Sequence, residues 1–166
     1  MKIVRFVLKF ATILLLFIPG PAQAREILVP SYQEMLAKSD LVVIANPISK
    51  TKDTTEEDFL PGIFLQEKDG KRSRIQAIGV ETKFAVLAVL KGDATIKQFT
   101  LHHYREAQPS LALNGPSLVS FDPSNMSKRS SYLLFLVREP DGRFAPIGGQ
   151  TDPGMKAIIS IPFELH

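Results

Sequence analysis

The sequence predicts a mostly β fold with antiparallel connections, and three stretches carry that prediction. Val80, Thr82, Phe84, Val86, Ala88 and Leu90 recur at period two, which sets them on one face of a long strand that is core throughout. Leu41-Val42-Val43-Ile44-Ala45 is a continuous apolar run, as expected of a strand covered on both sides. Tyr132-Leu133-Leu134-Phe135-Leu136-Val137 is a second such run. No internal repeat and no long amphipathic helix interrupts this pattern.

The chain opens with the layout of an export signal. Lys2, Arg5 and Lys9 precede the apolar run Phe10 to Ile18, Pro19-Gly20 breaks it, and Ala22-Gln23-Ala24 supplies small residues for cleavage. The apolar run falls short of the roughly 20 residues that span a bilayer, so no stable membrane anchor is expected after cleavage. The mature chain is then predicted to begin at Arg25 and to occupy the periplasm or the exterior as a single domain, residues 25–166.

Cleavage alters the charge balance. The whole chain holds 20 Lys+Arg against 17 Asp+Glu, and the three basic residues of the signal account for the difference. A balanced mature chain has no net field to draw nucleic acid or an anionic membrane, and Lys71-Arg72-Ser73-Arg74 reads as a solvated turn. Cys 0 excludes disulfides, thiolate metal sites and cysteine nucleophiles.

Along the mature chain, Ser31-Tyr32-Gln33-Glu34 has capping-box spacing and predicts a short helix over Tyr32 to Lys38, ended by Ser39-Asp40. Tyr32, Met35 and Leu36 would seat it on a sheet. After the Leu41 strand, Ser49 to Asp58 reads as a wet strand end and loop, with the apolar cluster Phe59-Leu60-Pro61-Gly62-Ile63-Phe64-Leu65 beyond it. That cluster either packs down as a strand or stands out as a contact site. Glu67-Lys68-Asp69-Gly70-Lys71 is a hairpin signal, pairing Ile63–Gln66 with Arg74–Ile78 just before the central strand. Lys91-Gly92-Asp93 stops the central strand, and Ile96 to Tyr104 alternates as another. The stretch from Glu106 to Ser131 is a long loop in which Leu118-Val119-Ser120-Phe121 tucks inward. Glu139-Pro140-Asp141-Gly142 turns the Tyr132 strand back through Arg143 to Ile147. Lys156 to Ile161 is either a last strand or further end packing.

The order Ser39 to Ala45, then Phe84 to Gly92 with its Lys-Gly turn, then Tyr132 to Leu136 resembles the netrin-like domain, the family of the tissue inhibitors of metalloproteinases and of some exported bacterial proteins. The resemblance implies an OB-like barrel, closed or partly open, of about five strands with a short N-terminal helix packed at one end. The inhibitors place a mature N-terminal cysteine on the protease zinc. Here Arg25 takes that place, so only the fold carries over.

Catalytic signatures are missing from the residues. Neighbours on a strand point to opposite faces, so of His102-His103 only His102 could join Tyr104 and Glu106 on one ion. Three polar residues at that spacing equally describe a solvated strand face, and that is the expectation. Glu56-Glu57-Asp58 reads as loop solvation, and there is no Gly-x-Ser-x-Gly elbow and no phosphate loop. The sequence therefore predicts no catalytic residues, no metal and no cofactor. It predicts a non-catalytic binding module for a protein or peptide partner, using barrel-end loops, with Arg25, Phe59, Leu60 and Phe64 as contacts. The alternatives are a small-molecule or glycan carrier, with His102, Tyr104 and Glu106 lining a groove, and a hydrolase without a recognisable motif.

Overall fold

Strand β2 (Leu41–Pro47) is apolar on both faces because each face meets a different layer. The structure is a computed structural model that describes residues 25–27, 29–66, 69–108, 117–123 and 130–162, so the predicted signal peptide lies outside the described residues. Besides β2, the strands are β1 (Arg25–Ile27), β3 (Lys52–Gln66), β4 (Arg72–Lys91), β5 (Gln98–Glu106), β6 (Ser130–Arg138), β7 (Phe144–Pro146) and β8 (Ile158–Pro162).

Five of them close into a barrel. β2 pairs antiparallel with β4 on one side and with β6 on the other. β4 continues to β5, and β6 to β7. A parallel contact of Leu101 with Phe144 joins β5 to β7 and shuts the ring. Numbered along the barrel alone, the order is first, second, third, fifth, fourth and back to the first. That is an OB-like barrel.

Its interior is filled by alternate residues of every wall. Leu41, Val43 and Ala45 meet Phe84, Phe99, Leu101, Leu134, Leu136 and Phe144 in one buried cluster. Phe121 is drawn in from the loop segment described at 117–123, as expected. Its ring stands edge-on to Phe84 at 5.0 Å and to Tyr132 at 5.1 Å. The opposite faces of β2 and β6 turn Val42 and Phe135 outward, where Met35, Ile147 and Ala157 cover them.

Met35 comes from α1 (Tyr32–Lys38), whose capping box forms as the sequence predicts. The Glu34 N–H donates to Ser31 Oγ at 3.2 Å, and the Ser31 N–H donates to Glu34 Oε2 at 2.8 Å. Only Met35 of the three expected anchors is fully seated, while Tyr32 and Leu36 stay exposed. The helix lies on the outward side chains of β2 and β6. The Lys91 ammonium donates to its last carbonyls, Leu36 O at 2.7 Å and Ala37 O at 3.2 Å. Gly92 follows because a side chain there would meet the Asp40 carbonyl at 2.5 Å, in a backbone of φ +103°.

The period-two expectation for β4 fails in its second half. Opposite β2, one residue of β4 is extra between Val86 and Ala88 and another between Val89 and Lys91. These two bulges throw out Leu87, 56% exposed, and Leu90, 59% exposed, and turn Val89 inward in place of Ala88. One face is therefore core only as far as Val86.

The wet segment after β2 is also more ordered than predicted. It belongs to β3, which runs antiparallel to the first half of β4 with extra residues between Asp53 and Glu57 and between Phe59 and Phe64. The hairpin pairs Phe64, Leu65 and Gln66 with Arg74, Ser73 and Arg72, and its second strand is continuous with the central one. β1 pairs with the far side of β3, Arg25 opposite Leu65. The stretch from Lys156 to Ile161 contains a last strand, since β8 pairs with β6 from Ile158 onward.

Candidate functional site

In OB folds at large, ligands lie on the second and third barrel strands, between the connections joining strands one to two and four to five. Here those are β4, β5, the β3 insertion and the tight turn Glu139–Arg143. All four contribute to one cluster of ionisable side chains.

At its centre is His102, whose side chain is 4% exposed. His102 Nδ1 lies 2.8 Å from Glu139 Oε1, and Nε2 lies 3.2 Å from Glu56 Oε2. The first contact is a well-formed hydrogen bond. The second is at ion-pair distance but poorly aligned for one. Tyr104 presents its ring to His102 at 5.2 Å and its hydroxyl donates to Glu56 Oε1 at 2.5 Å. Burial, and then that bond to a carboxylate, push the phenol well above its ordinary range.

Arg143 binds the carboxylates together. Its guanidinium donates to Glu81 at 2.8 Å and to Asp141 at 2.7 Å, and it lies 3.3 Å from Glu139 Oε2 and 4.0 Å from Glu56 Oε2. Burial alone would make it easier to deprotonate, but Glu81, Glu139 and Asp141 outweigh that and hold it above its ordinary value. The turn that places it forms as the sequence predicts, with the Gly142 N–H donating to Glu139 O and the Glu139 N–H to Arg143 O.

Room for the cluster comes from Gly79, inside β4. A Cβ there would lie 2.8 Å from Thr54 Oγ1, 3.0 Å from Glu56 Cβ and 3.2 Å from His102 Nε2. A glycine within a strand often marks such a close approach, and this was the sequence signal to be had. Nothing in the sequence pattern joins Glu56, Glu139 and Arg143 to it, because they come from two other segments, β3 and the turn after β6.

The other side of β5 is different in kind. His103 points into the barrel, where Nε2 lies 3.1 Å from Thr82 Oγ1 and the ring stands edge-on to Phe121 at 5.2 Å. Burial, and then the neighbouring His102, push its pKa down to about 3. The predicted solvated strand face is thus corrected, because both histidines are buried and one of them lies between two carboxylates.

The first half of β4 and its partner β3 form an arm, since Arg72 to Arg74 pair with β3 alone. Leu60, Ile63, Ile75 and Ala77 pack together on its inner side, with Tyr104 and Leu118 against them. Leu60 is 3% exposed, so it serves the core and is corrected as a contact residue. Phe59 is 39% exposed, beneath the Arg74 guanidinium at 5.2 Å, and the partly buried Phe64 lies beneath Arg72 at 6.0 Å. The expected basic turn is therefore a strand segment that sets arginines over aromatic rings. Arg25 is placed only by its backbone pairing with Leu65. Glu106 sits at the end of β5, opposite Ala77.

Among the described residues no group of His, Asp and Glu is arranged to hold a metal ion, and no helix is long and apolar enough to cross a membrane. No known protein family, curated protein or solved structure matches the chain.

Proposed function

We propose that the chain is an exported, non-catalytic binding module of netrin-like type that holds a protein or peptide partner through its barrel-end connections. The observation that carries this reading is the arm, where Phe59 keeps a partly exposed ring under Arg74 on a stretch of β4 that takes no part in closing the barrel. A ring and a guanidinium stacked at a surface combine apolar area with donors at low entropic cost, the usual make-up of a contact anchor. Arg72 and Arg74 favour a partner segment that carries carboxylates. Phosphate-rich partners are disfavoured by Glu56, Glu81, Glu139 and Asp141, which occupy the face an OB fold would turn to nucleic acid.

Two observations weigh against the rival readings. A carrier groove would need free polar groups, yet His102 and Tyr104 are engaged with Glu56 and Glu139. A hydrolase that used His102 as the base of a triad would need it beside a nucleophile, yet each ring nitrogen faces a carboxylate.

The test is capture of a partner from the host envelope by the mature chain and by a Phe59→Ala/Phe64→Ala variant. The variant should lose capture while its melting temperature falls by no more than about 4 °C. Undiminished capture overturns the arm as the contact surface. Export is checked by sequencing the amino terminus of the protein taken from its host, where Arg25 should come first. Cleavage there leaves β1 whole.

A further inference from the structure

We infer that the outer face shared by β2, β6, β8 and the second half of β4 docks on an anionic lipid bilayer, held from one side without a spanning segment. This face is separate from the arm, and its use goes beyond the capture of a protein partner. Its middle is an apolar lane across four strands. Ala88 of β4 stands opposite Ile44 of β2, Ile44 opposite Leu133 of β6, and Leu133 opposite Ile159 of β8. All four turn away from the barrel, because Val89, Val43, Leu134 and Ile158 beside them pack into it. α1 covers the neighbouring lane, Val42 and Phe135, through Met35, and leaves this one open. Leu87 and Leu90 on the two bulges, Leu36 on α1 and Ile161 on β8 are exposed around it. Single exposed leucines are ordinary, but gathered on one face they mark an interaction surface.

The charges around this face select its occupant. The mature chain is balanced in sum, yet the fold sorts its charges by place. Glu56, Glu81, Glu139 and Asp141 gather around Arg143 on the wall of β4 and β5. The apolar face is rimmed by lysines instead. Lys83 is exposed on β4 beside the inward Phe84, and Lys38 is exposed at the end of α1. Lys91 holds its ammonium against the Leu36 and Ala37 carbonyls, which brings the last turn of α1 to the end of β4. The Lys156 ammonium lies 5.8 Å from the Tyr32 ring, itself 6.2 Å from Phe135. The acids among them, Glu34 and Asp40, are each turned to a backbone donor, the Ser31 N–H and the Arg138 N–H. Leucines projecting between lysines match a bilayer interface, where the apolar side chains enter the acyl boundary and the ammonium groups meet phosphate. A second copy laid on the face about a two-fold axis would set these lysines against their own kind.

The test is sedimentation of the mature chain, its amino terminus checked at Arg25, with vesicles of phosphatidylethanolamine holding about one-third phosphatidylglycerol and with vesicles of phosphatidylcholine alone. Partition onto the anionic vesicles should exceed that onto the neutral ones by about tenfold and should fall as salt is raised. Leu87→Gln/Leu90→Gln should weaken binding to the anionic vesicles by about tenfold or more. The urea midpoint of that variant should stay in place, since both side chains are already exposed. Lys38→Gln/Lys83→Gln should remove most of the preference for anionic lipid. Absence of partition onto the anionic vesicles overturns the inference, as does partition that survives the leucine substitutions. Equal partition onto the two kinds of vesicle overturns the choice of an anionic surface. A concentration-dependent dimer that Leu87→Gln/Leu90→Gln dissolves would assign the face to a second copy and overturn the inference too.

Discussion

His102 and His103 are adjacent in the chain and equally buried, yet the two faces of β5 put them in opposite surroundings. His103 has a threonine hydroxyl and an aromatic edge, so its neutral form is favoured. His102 has carboxylates on both ring nitrogens and an arginine network behind them. The contrast teaches that residue type and burial together still do not define a site. The side chains delivered by other segments do, and here they divide the β4–β5 wall into a dry inner face that fills the barrel and a charged outer face that meets Glu56 of β3.

The sharpest break of that contrast is on the dry side. Phe84→Ala should cost about 3–5 kcal/mol in a denaturant titration, because Phe84 stacks on Phe99 at 5.4 Å and meets Phe121 and Tyr132 edge-on. Leu87→Ala, on the bulge of the same strand, should change stability by no more than about 0.5 kcal/mol. A comparable loss at both positions would contradict the inward and outward assignment of β4.

His103 provides the next effect. Its pKa is held at about 3 in the fold against an ordinary 6.5, so below pH 6.5 the unfolded chain takes a proton that the folded chain refuses. This contribution to stability is complete above pH 6.5 and is lost as pH falls toward 3, a few kcal/mol as an order of magnitude. Urea midpoints at pH 7.5, 5.5 and 4.5 should decline less steeply in His103→Gln than in the unmodified chain.

On the charged side, Gly79→Ala should cost about 1–3 kcal/mol, since the added methyl meets Thr54, Glu56 and His102 at once. It should also raise amide exchange in β3 more than in β2. A small change of opposite sign lies away from both faces, at Lys156, the one non-glycine with positive φ among the described residues, at 58°. Lys156→Gly should stabilise by no more than about 1 kcal/mol, since the strain relieved is partly offset by added freedom of the unfolded chain and by loss of the ammonium over the Tyr32 ring.

The closed barrel was legible because its walls advertise themselves locally. Leu41–Ala45 and Tyr132–Val137 are apolar on both faces and prove to have a layer on each, and the Glu139–Gly142 turn carries its own chemistry. The bulges at Leu87 and Leu90 were hidden, since a register shift depends on the opposing strand and leaves no mark in an apolar run. The charged cluster was hidden for a similar reason. Glu56 looked like loop solvation because the segment around it is polar, and only its pairing with β4 carries it over Gly79 to His102. Phe59 and Leu60 show the limit at single-residue scale, for alternation sends one outward and the other into the core.

A sealed inner face is what everything else leans on, and nitrogen NMR of the His103 ring between pH 7.5 and 4 reads it directly. The ring should stay neutral across that whole range. If it charges near pH 6.5, water reaches it, the barrel end is open, and the division of the wall into dry and charged faces is wrong.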